Sequence, residues 1–143
     1  MVYLDTSAAF PLFVPAADRE RIACRLEDTA QPLIAAAWTV TEFSSAMALN
    51  QRQGKIAEQQ AALIWHEFQA FCERGLRIIA VMQDDFAVGA QVVRVYRSGL
   101  RAGDALHLAI AQRLAVTSMA TADAILAKAA EGAGMQVIAL QSD

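Results

Sequence analysis

The sequence predicts an α/β fold organised on a parallel sheet, and three observations carry that expectation. Short apolar runs of strand length alternate along the chain with longer segments of helical periodicity. The first such run, Val2-Tyr3-Leu4, has no polar alternation, the pattern of a strand covered on both faces. An acid, Asp5, ends that run where the chain passes into a helix, and open α/β sheets place their ligands on that edge.

Each element has its own signal. Thr6 and Ser7 can cap a short apolar helix over 8–14, interrupted by Pro11. Residues 18–27 are charged on one face and carry Ile22 and Leu26 on the other, as in an exposed amphipathic helix. Gln31-Pro32 turns the chain into a second strand over 33–37, weaker because alanine is a poor strand former. The next helix opens at Thr39-Val-Thr-Glu42 and places Val40, Phe43 and Met47 on one stripe. Gly54 separates it from a long helix over 56–74, with Leu63, Ile64, Phe68 and Phe71 along one side, so the pair reads as a helical hairpin. A third strand over 76–82 follows Gly75. Asp84-Asp85 then begins a helix running through Tyr96 to Arg97, ended by Ser98-Gly99. Gly103-Asp104 opens a helix that is apolar nearly all round and therefore buried. Residues 116–121 form a fourth strand, Asp123 lies in the first turn of a helix over 124–131, and 136–140 form a fifth strand before a polar tail.

At 143 residues the chain is expected to be a single domain, 1–143, able to bury a core without disulfides or a structural metal. Hydrophobic residues make up 56% and charged residues 19%, which points to a largely buried sheet, an oligomer interface, or both. No apolar run has membrane-spanning length and the first residues lack a signal-peptide pattern, so a cytoplasmic protein with no membrane partner is expected. Cys24 and Cys72 have no metal or redox spacing and read as small buried hydrophobes.

A net charge of −3 by itself argues against a nucleic-acid binder. If four of the fifteen acids held metal, however, 12 basic residues would face 11 acidic ones and the ions would invert the local field. Arg94, Arg97 and Arg101 lie close together, as do Arg52 and Lys55; such sets are commonly solvated faces and otherwise a phosphate track.

Four acids are candidates for chemistry. Strand carboxyl ends and following helix amino ends share one edge of a parallel sheet, which puts Asp5, Glu42 and Asp123 on one side. Asp104 joins them if its helix crosses that edge. Structural roles are open to each: a Thr39–Glu42 capping box, an N-cap for Asp104, and a first-turn acid at Asp123 with Thr121 as the cap. Asp5 is the hardest to account for in this way, because an acid ending a central strand needs partners to offset its desolvation. Crowded carboxylates raise one another's pKa unless a positive charge sits among them, and no lysine follows any of the strands. A divalent cation fits, and oxygen ligands select Mg²⁺ or Mn²⁺ over zinc. Such ions support phosphodiester hydrolysis by a metal-activated water.

Other chemistries match less well. A dehalogenase-like phosphatase needs an acid where Ser7 stands, and a receiver domain needs a lysine after the fourth strand. Neither a phosphate-cradling glycine motif nor a Ser/His/Asp triad is present. His107, one turn beyond Asp104, reads as a hydrogen-bonded histidine of a buried helix, with a site role as the alternative. Arg101 is placed either at the surface or against a phosphate, and His66 is structural or exposed. Trp38, Phe43, Met47, Trp65, Phe68 and Phe71 are expected in the core or a dimer contact.

Taken together, Leu4-Asp5-Thr6-Ser7, Thr39-x-x-Glu42-Phe43, Ala102-Gly-Asp-Ala-Leu-His-Leu-Ala109 and Thr121-Ala-Asp123 are similar in order and spacing to the motifs of the PIN-domain ribonucleases. Within that family the chain resembles the VapC-type toxins of type II toxin–antitoxin pairs. The resemblance implies a three-layer fold with a five-stranded parallel sheet in the order 3-2-1-4-5, an Mg²⁺- or Mn²⁺-dependent endoribonuclease, a homodimer, and a cognate antitoxin that blocks the site. By position, Asp5 and Asp104 would be principal metal ligands, Asp123 and Glu42 would complete the cluster, and Thr6 and Thr121 would orient carboxylates or water. Met119-Ala120 departs from the more β-branched strand common before the last acid. The alternative of another class is a catalytically degenerate PIN-like dimer that binds RNA or a protein without cutting it.

Overall fold

The strand β1 (Val2–Leu4) sends alternate side chains into two layers, and all three residues are fully buried. In this computed structural model, which describes residues 1–140, Tyr3 packs with α6 (Ala102–Arg113) and α7 (Ala124–Gly132). Val2 and Leu4 pack on the other side with α1 (Thr6–Ala9) and α2 (Arg19–Glu27). Unbroken apolar character was the feature that predicted a strand covered on both faces.

All strand pairs are parallel. β2 (Leu33–Ala36) and β4 (Ser118–Thr121) flank β1, β3 (Leu76–Ile79) pairs with β2, and β5 (Gln136–Ala139) pairs with β4, in the order 3-2-1-4-5. The sheet is therefore the expected one. β1 is its centre, so the residue following Leu4 emerges in the middle of the carboxyl edge. Every residue from Ala105 to Ala111 of α6 is buried, as expected from its all-round apolar composition.

Helices α3 (Ala37–Arg52) and α4 (Glu58–Arg74) form the hairpin, turned by Gly54 at φ +70, where an L side chain is strained. Between them Phe43 and Phe68 stack with ring centroids 3.8 Å apart, and Phe10 and Phe13 pack edge-on to Phe43. These aromatics are core, not a base-stacking surface.

Several boundaries differ from the sequence expectation. The first helix spans only Thr6–Ala9 and passes into a 3-10 turn at Phe10–Leu12, because Pro11 cannot donate to a continuing α-helix. β2 stops at Ala36, and α3 begins two residues before Thr39, so the expected Thr39–Glu42 capping box does not form. The helix α5 (Gln83–Val93) ends early, and Tyr96 lies in a 3-10 turn (Tyr96–Ser98) with most of its surface exposed. β3, β4 and β5 are each shorter than expected. Leu63 is exposed, because the buried stripe of α4 is carried by Ala61, Ile64 and Phe68. Cys24 is also exposed, on the outer face of α2, whereas Cys72 is half-buried. The expected polar tail, 141–143, lies outside the described residues.

The α5–α6 layer is locked by a buried acid that the sequence reading treated only as a helix start. Asp85, 1% exposed, accepts from the Met82 backbone N–H at 2.7 Å and is gripped bidentately by Arg113 at 2.6 and 2.9 Å. Burial pushes its carboxyl up, but the Arg113 hydrogen bonds and the Met82 N–H outweigh it and hold the pKa below the ordinary range. A depressed acid contributes stability above its unfolded pKa, about 3.9, and loses it as pH falls through the folded value. Asp85→Ala should therefore lower unfolding free energy at neutral pH by about 2–4 kcal/mol, somewhat less than a fully buried pair because Arg113 keeps solvent contact. Urea denaturation should show that gap at pH 7 and show it shrinking as pH falls below about 4.

Candidate active site

Asp5 follows the last residue of β1 and is at once the end of a strand and the cap of α1. Its backbone N–H still donates to Ala120 of β4 at 3.3 Å, while its side chain accepts from the Ala8 N–H at 3.1 Å. Ser7 supplies the other partner, its hydroxyl lying 2.9 Å from both carboxylate oxygens. Asp5 is 3% exposed, and burial pushes its pKa up to about 6 against the pull of His107, Ser7 and Ala8. Charge-assisted hydrogen bonds of this kind are worth about 1.5–3 kcal/mol each, enough to keep a buried carboxylate tolerable.

The same Ser7 hydroxyl accepts from the Ala122 backbone N–H at 2.8 Å and lies 3.2 Å from the Thr121 hydroxyl. Thr121 in turn accepts from the Asp123 N–H at 3.0 Å. One hydroxyl thus ties the end of β1 to the turn that carries Asp123.

Glu42 faces this group from the second turn of α3. Its Oε2 accepts from the Thr6 hydroxyl and from His107 Nε2 at 2.6 Å. A carboxylate only accepts, so Nε2 carries the hydrogen; in the neutral ring Nδ1 then accepts from the Tyr3 hydroxyl, 2.8 Å away. Burial pushes the Glu42 carboxyl up, but His107 and Thr6 outweigh it and hold the pKa below the ordinary value. The Trp38 indole N–H adds a weaker pull, although it makes no hydrogen bond of full geometry among the described residues. Tyr3 is shifted upward by burial and by the nearby Asp5 and Glu42 charges, which keeps its hydroxyl a donor.

Asp104 occupies the third position of α6, where one oxygen accepts from the Arg101 N–H at 3.3 Å. Burial raises its pKa, the charges of Asp123 and Glu42 raise it further, and Arg101 N–H and His107 pull the other way. Asp123 is the N-cap of α7 itself, its Oδ1 accepting from Ile125 and Leu126 N–H at 2.8 and 2.9 Å. Thr121, expected to be that cap, braces the turn instead. Arg101 contributes its backbone, and its side chain is exposed.

The four acids therefore lie on the carboxyl side of the sheet, and Asp104 feels the charges of Asp123 and Glu42. They do not form a ready ligand cluster: among the described residues no three Asp, Glu, His or Cys side chains are disposed to hold one ion. Each carboxylate takes at least one internal donor. Asp104 and Asp123 each keep one oxygen without a hydrogen bond among the described residues. The all-oxygen donor set and the mutual repulsion felt at Asp104 suit a hard divalent cation.

A sequence profile of the PIN domain matches residues 2–132. The chain belongs to the PIN-domain family. Similar PIN architecture is found in VapC20 of Mycobacterium tuberculosis, described as a sarcin–ricin loop cleaving toxin, at TM-score 0.70 and 15% identity over 90% of this chain and 95% of that one. FitAcB of Neisseria gonorrhoeae is similar at TM-score 0.69 and 21% identity over 98% of each chain. A chain of a toxin–antitoxin complex from Klebsiella pneumoniae is similar at TM-score 0.60 and 19% identity over the whole of both. At these identities the likeness concerns the fold. Among curated proteins none matches this sequence.

Two site residues escaped the sequence reading. By sequence Ser7 has the character of a helix cap and Tyr3 that of a core strand residue. The signal for Ser7 was its place two residues after Asp5, a spacing at which a hydroxyl reaches back to a carboxylate. Gly103 also matters, because a Cβ there would stand 2.7 Å from Glu42 Oε1. That oxygen ends a flexible side chain, so Gly103→Ala should keep the fold, with a melting temperature within a few degrees of wild type, yet displace Glu42. Changed imidazole NMR resonances of His107 in that variant would register the displacement, and unchanged ones would contradict it.

Proposed function

We propose that this PIN domain is a metal-dependent endoribonuclease, the toxin of a toxin–antitoxin pair, working in the cytoplasm as one domain over 1–143. The observation that carries the reading is Asp5, a carboxylate buried at the end of the central strand with Glu42, Asp104 and Asp123 brought to the same edge. Asp5, Asp104, Asp123 and Glu42 would hold Mg²⁺ or Mn²⁺ after giving up internal hydrogen bonds. The bound ion would supply a more acidic water and charge stabilisation at the scissile phosphate. The chain's own residues do the positioning: Ser7 and Ala8 orient Asp5, Thr6 and His107 orient Glu42, and Tyr3 orients His107. Thr121 fixes the turn that presents Asp123.

The neighbours support the partners in this proposal. FitAcB, a structure of FitAB with a DNA fragment, and the Klebsiella toxin–antitoxin complex are similar in fold and support a cognate antitoxin, VapC20 as a sarcin–ricin loop cleaving toxin supports an RNA substrate, and we assign a homodimeric state from the resemblance to VapC-type toxins. A second reading, a non-cutting PIN-like dimer that binds RNA or protein, draws on the internal hydrogen bonds that already occupy the acids.

One experiment separates the two. Purified free of antitoxin, the wild type should cut RNA with Mg²⁺ or Mn²⁺, lose activity in excess chelator, and regain it on readdition. Asp5→Asn should reduce cleavage by at least about a thousandfold, the scale on which loss of an essential catalytic group acts, with its circular dichroism spectrum retained. Equal cleavage by Asp5→Asn would refute the nuclease assignment, and RNA binding without cleavage under all metal conditions would favour the second reading.

A further inference from the structure

Next to the acidic edge lies a small basic cavity of about 220 Å³ between the 3-10 turn Tyr96–Ser98 and α7. Its walls are Arg97, Ser98, Ile125, Lys128 and Ala129. Both cations are exposed, and neither is paired with a carboxylate among the described residues. Two cations lining one small cavity without a carboxylate partner leave a local positive field there that suits an anion.

The cavity adjoins the acids. Ile125, one of its walls, donates its backbone N–H to Asp123. The segment after the turn packs on Ile125 at Gly99 and leads directly to Arg101, whose N–H holds Asp104. Lys128 stands five residues beyond Asp123 on the same helix, about 7.5 Å along the axis. About two nucleotides stacked at ~3.4 Å each would cover that axial step.

Arg97 is also held in place. Its Nε donates to the Tyr96 hydroxyl at 2.9 Å and its guanidinium lies 5.5 Å from the Tyr96 ring centroid. Tyr96 is 79% exposed, so the face of its ring away from Arg97 offers free surface to a base. A hydrophobic patch would use the tyrosine differently, without cations beside it.

We propose that Arg97 and Lys128 form a phosphate subsite for single-stranded RNA, one or two nucleotides from the position served by Asp104 and Asp123, with Tyr96 supporting Arg97 and stacking a base. The subsite deepens the nuclease reading and rests on it for its substrate class. It also accounts for how a chain of net charge −3 grips a polyanion: the positive field is local.

The test is a binding titration in excess chelator, so that cutting plays no part. A fluorescent short single-stranded RNA is titrated with wild type, with the double variant Arg97→Ala/Lys128→Ala, and with the control pair Arg52→Ala/Lys55→Ala, which removes the same charge at the α3–α4 turn. The Arg97/Lys128 variant should bind roughly tenfold more weakly, with a log–log salt slope shallower by about 0.7 for each cation lost. The control pair should bind like wild type, and Lys128→Arg should restore affinity to the Lys128→Ala single variant. Equal affinity and slope in wild type and the Arg97/Lys128 variant would overturn the subsite, as would no binding by the wild type or an equal loss in the control pair. If the double variant kept RNA affinity but lost binding to an acidic peptide, the cavity would belong to a protein partner and the RNA assignment would fall. Failure here leaves wild-type cleavage intact, whereas failure of the nuclease reading removes cleavage while this binding difference persists.

Discussion

A carboxylate buried at the end of a central strand is the constraint from which the rest of this structure follows. Asp5 is almost wholly removed from solvent, and an ion in that position is costly unless donors converge on it. Ser7 and the Ala8 N–H meet that need from the chain immediately following, so the acid that caps α1 is held by that helix's own residues. Ser7 then reaches across to Thr121 and Ala122, which makes the first strand's end and the fourth strand's end one hydrogen-bonded unit.

A second unit lies against the first. Tyr3, His107, Glu42 and Thr6 form a chain of hydrogen bonds crossing from the sheet core through α6 to α3. Its inner end is buried in the core, so a polar histidine on a helix buried from Ala105 to Ala111 is satisfied on both nitrogens. The site is thus held by two short networks on a rigid sheet, with Asp104 and Asp123 added at helix amino ends where backbone N–H groups favour negative charge.

The electrostatics divide the edge into regions of opposite sign. Acids occupy the centre, in a setting that suits a divalent cation, and Arg97 with Lys128 lie beside them. At the opposite end of α6 from Asp104, the Asp85–Arg113 pair holds α5 in place.

The parallel sheet, the covered character of β1, the buried face of α6 and the placing of Asp5, Glu42 and Asp123 at one edge were legible in the sequence, because strand and helix periodicity are local, whereas the strand order was implied only by the resemblance to the PIN-domain motifs. Helix starts were less so: Thr39 has the chemistry of a cap, but the chain enters α3 at Ala37, and tertiary packing overrides the capping preference. Contacts between distant residues were not legible at all. His107 meets Glu42 across 65 positions and Tyr3 across 104, and the Arg113 that grips Asp85 is 28 residues away. No local pattern encodes such pairings; they arise only when the sheet stacks its layers and burial obliges each polar group to find a partner.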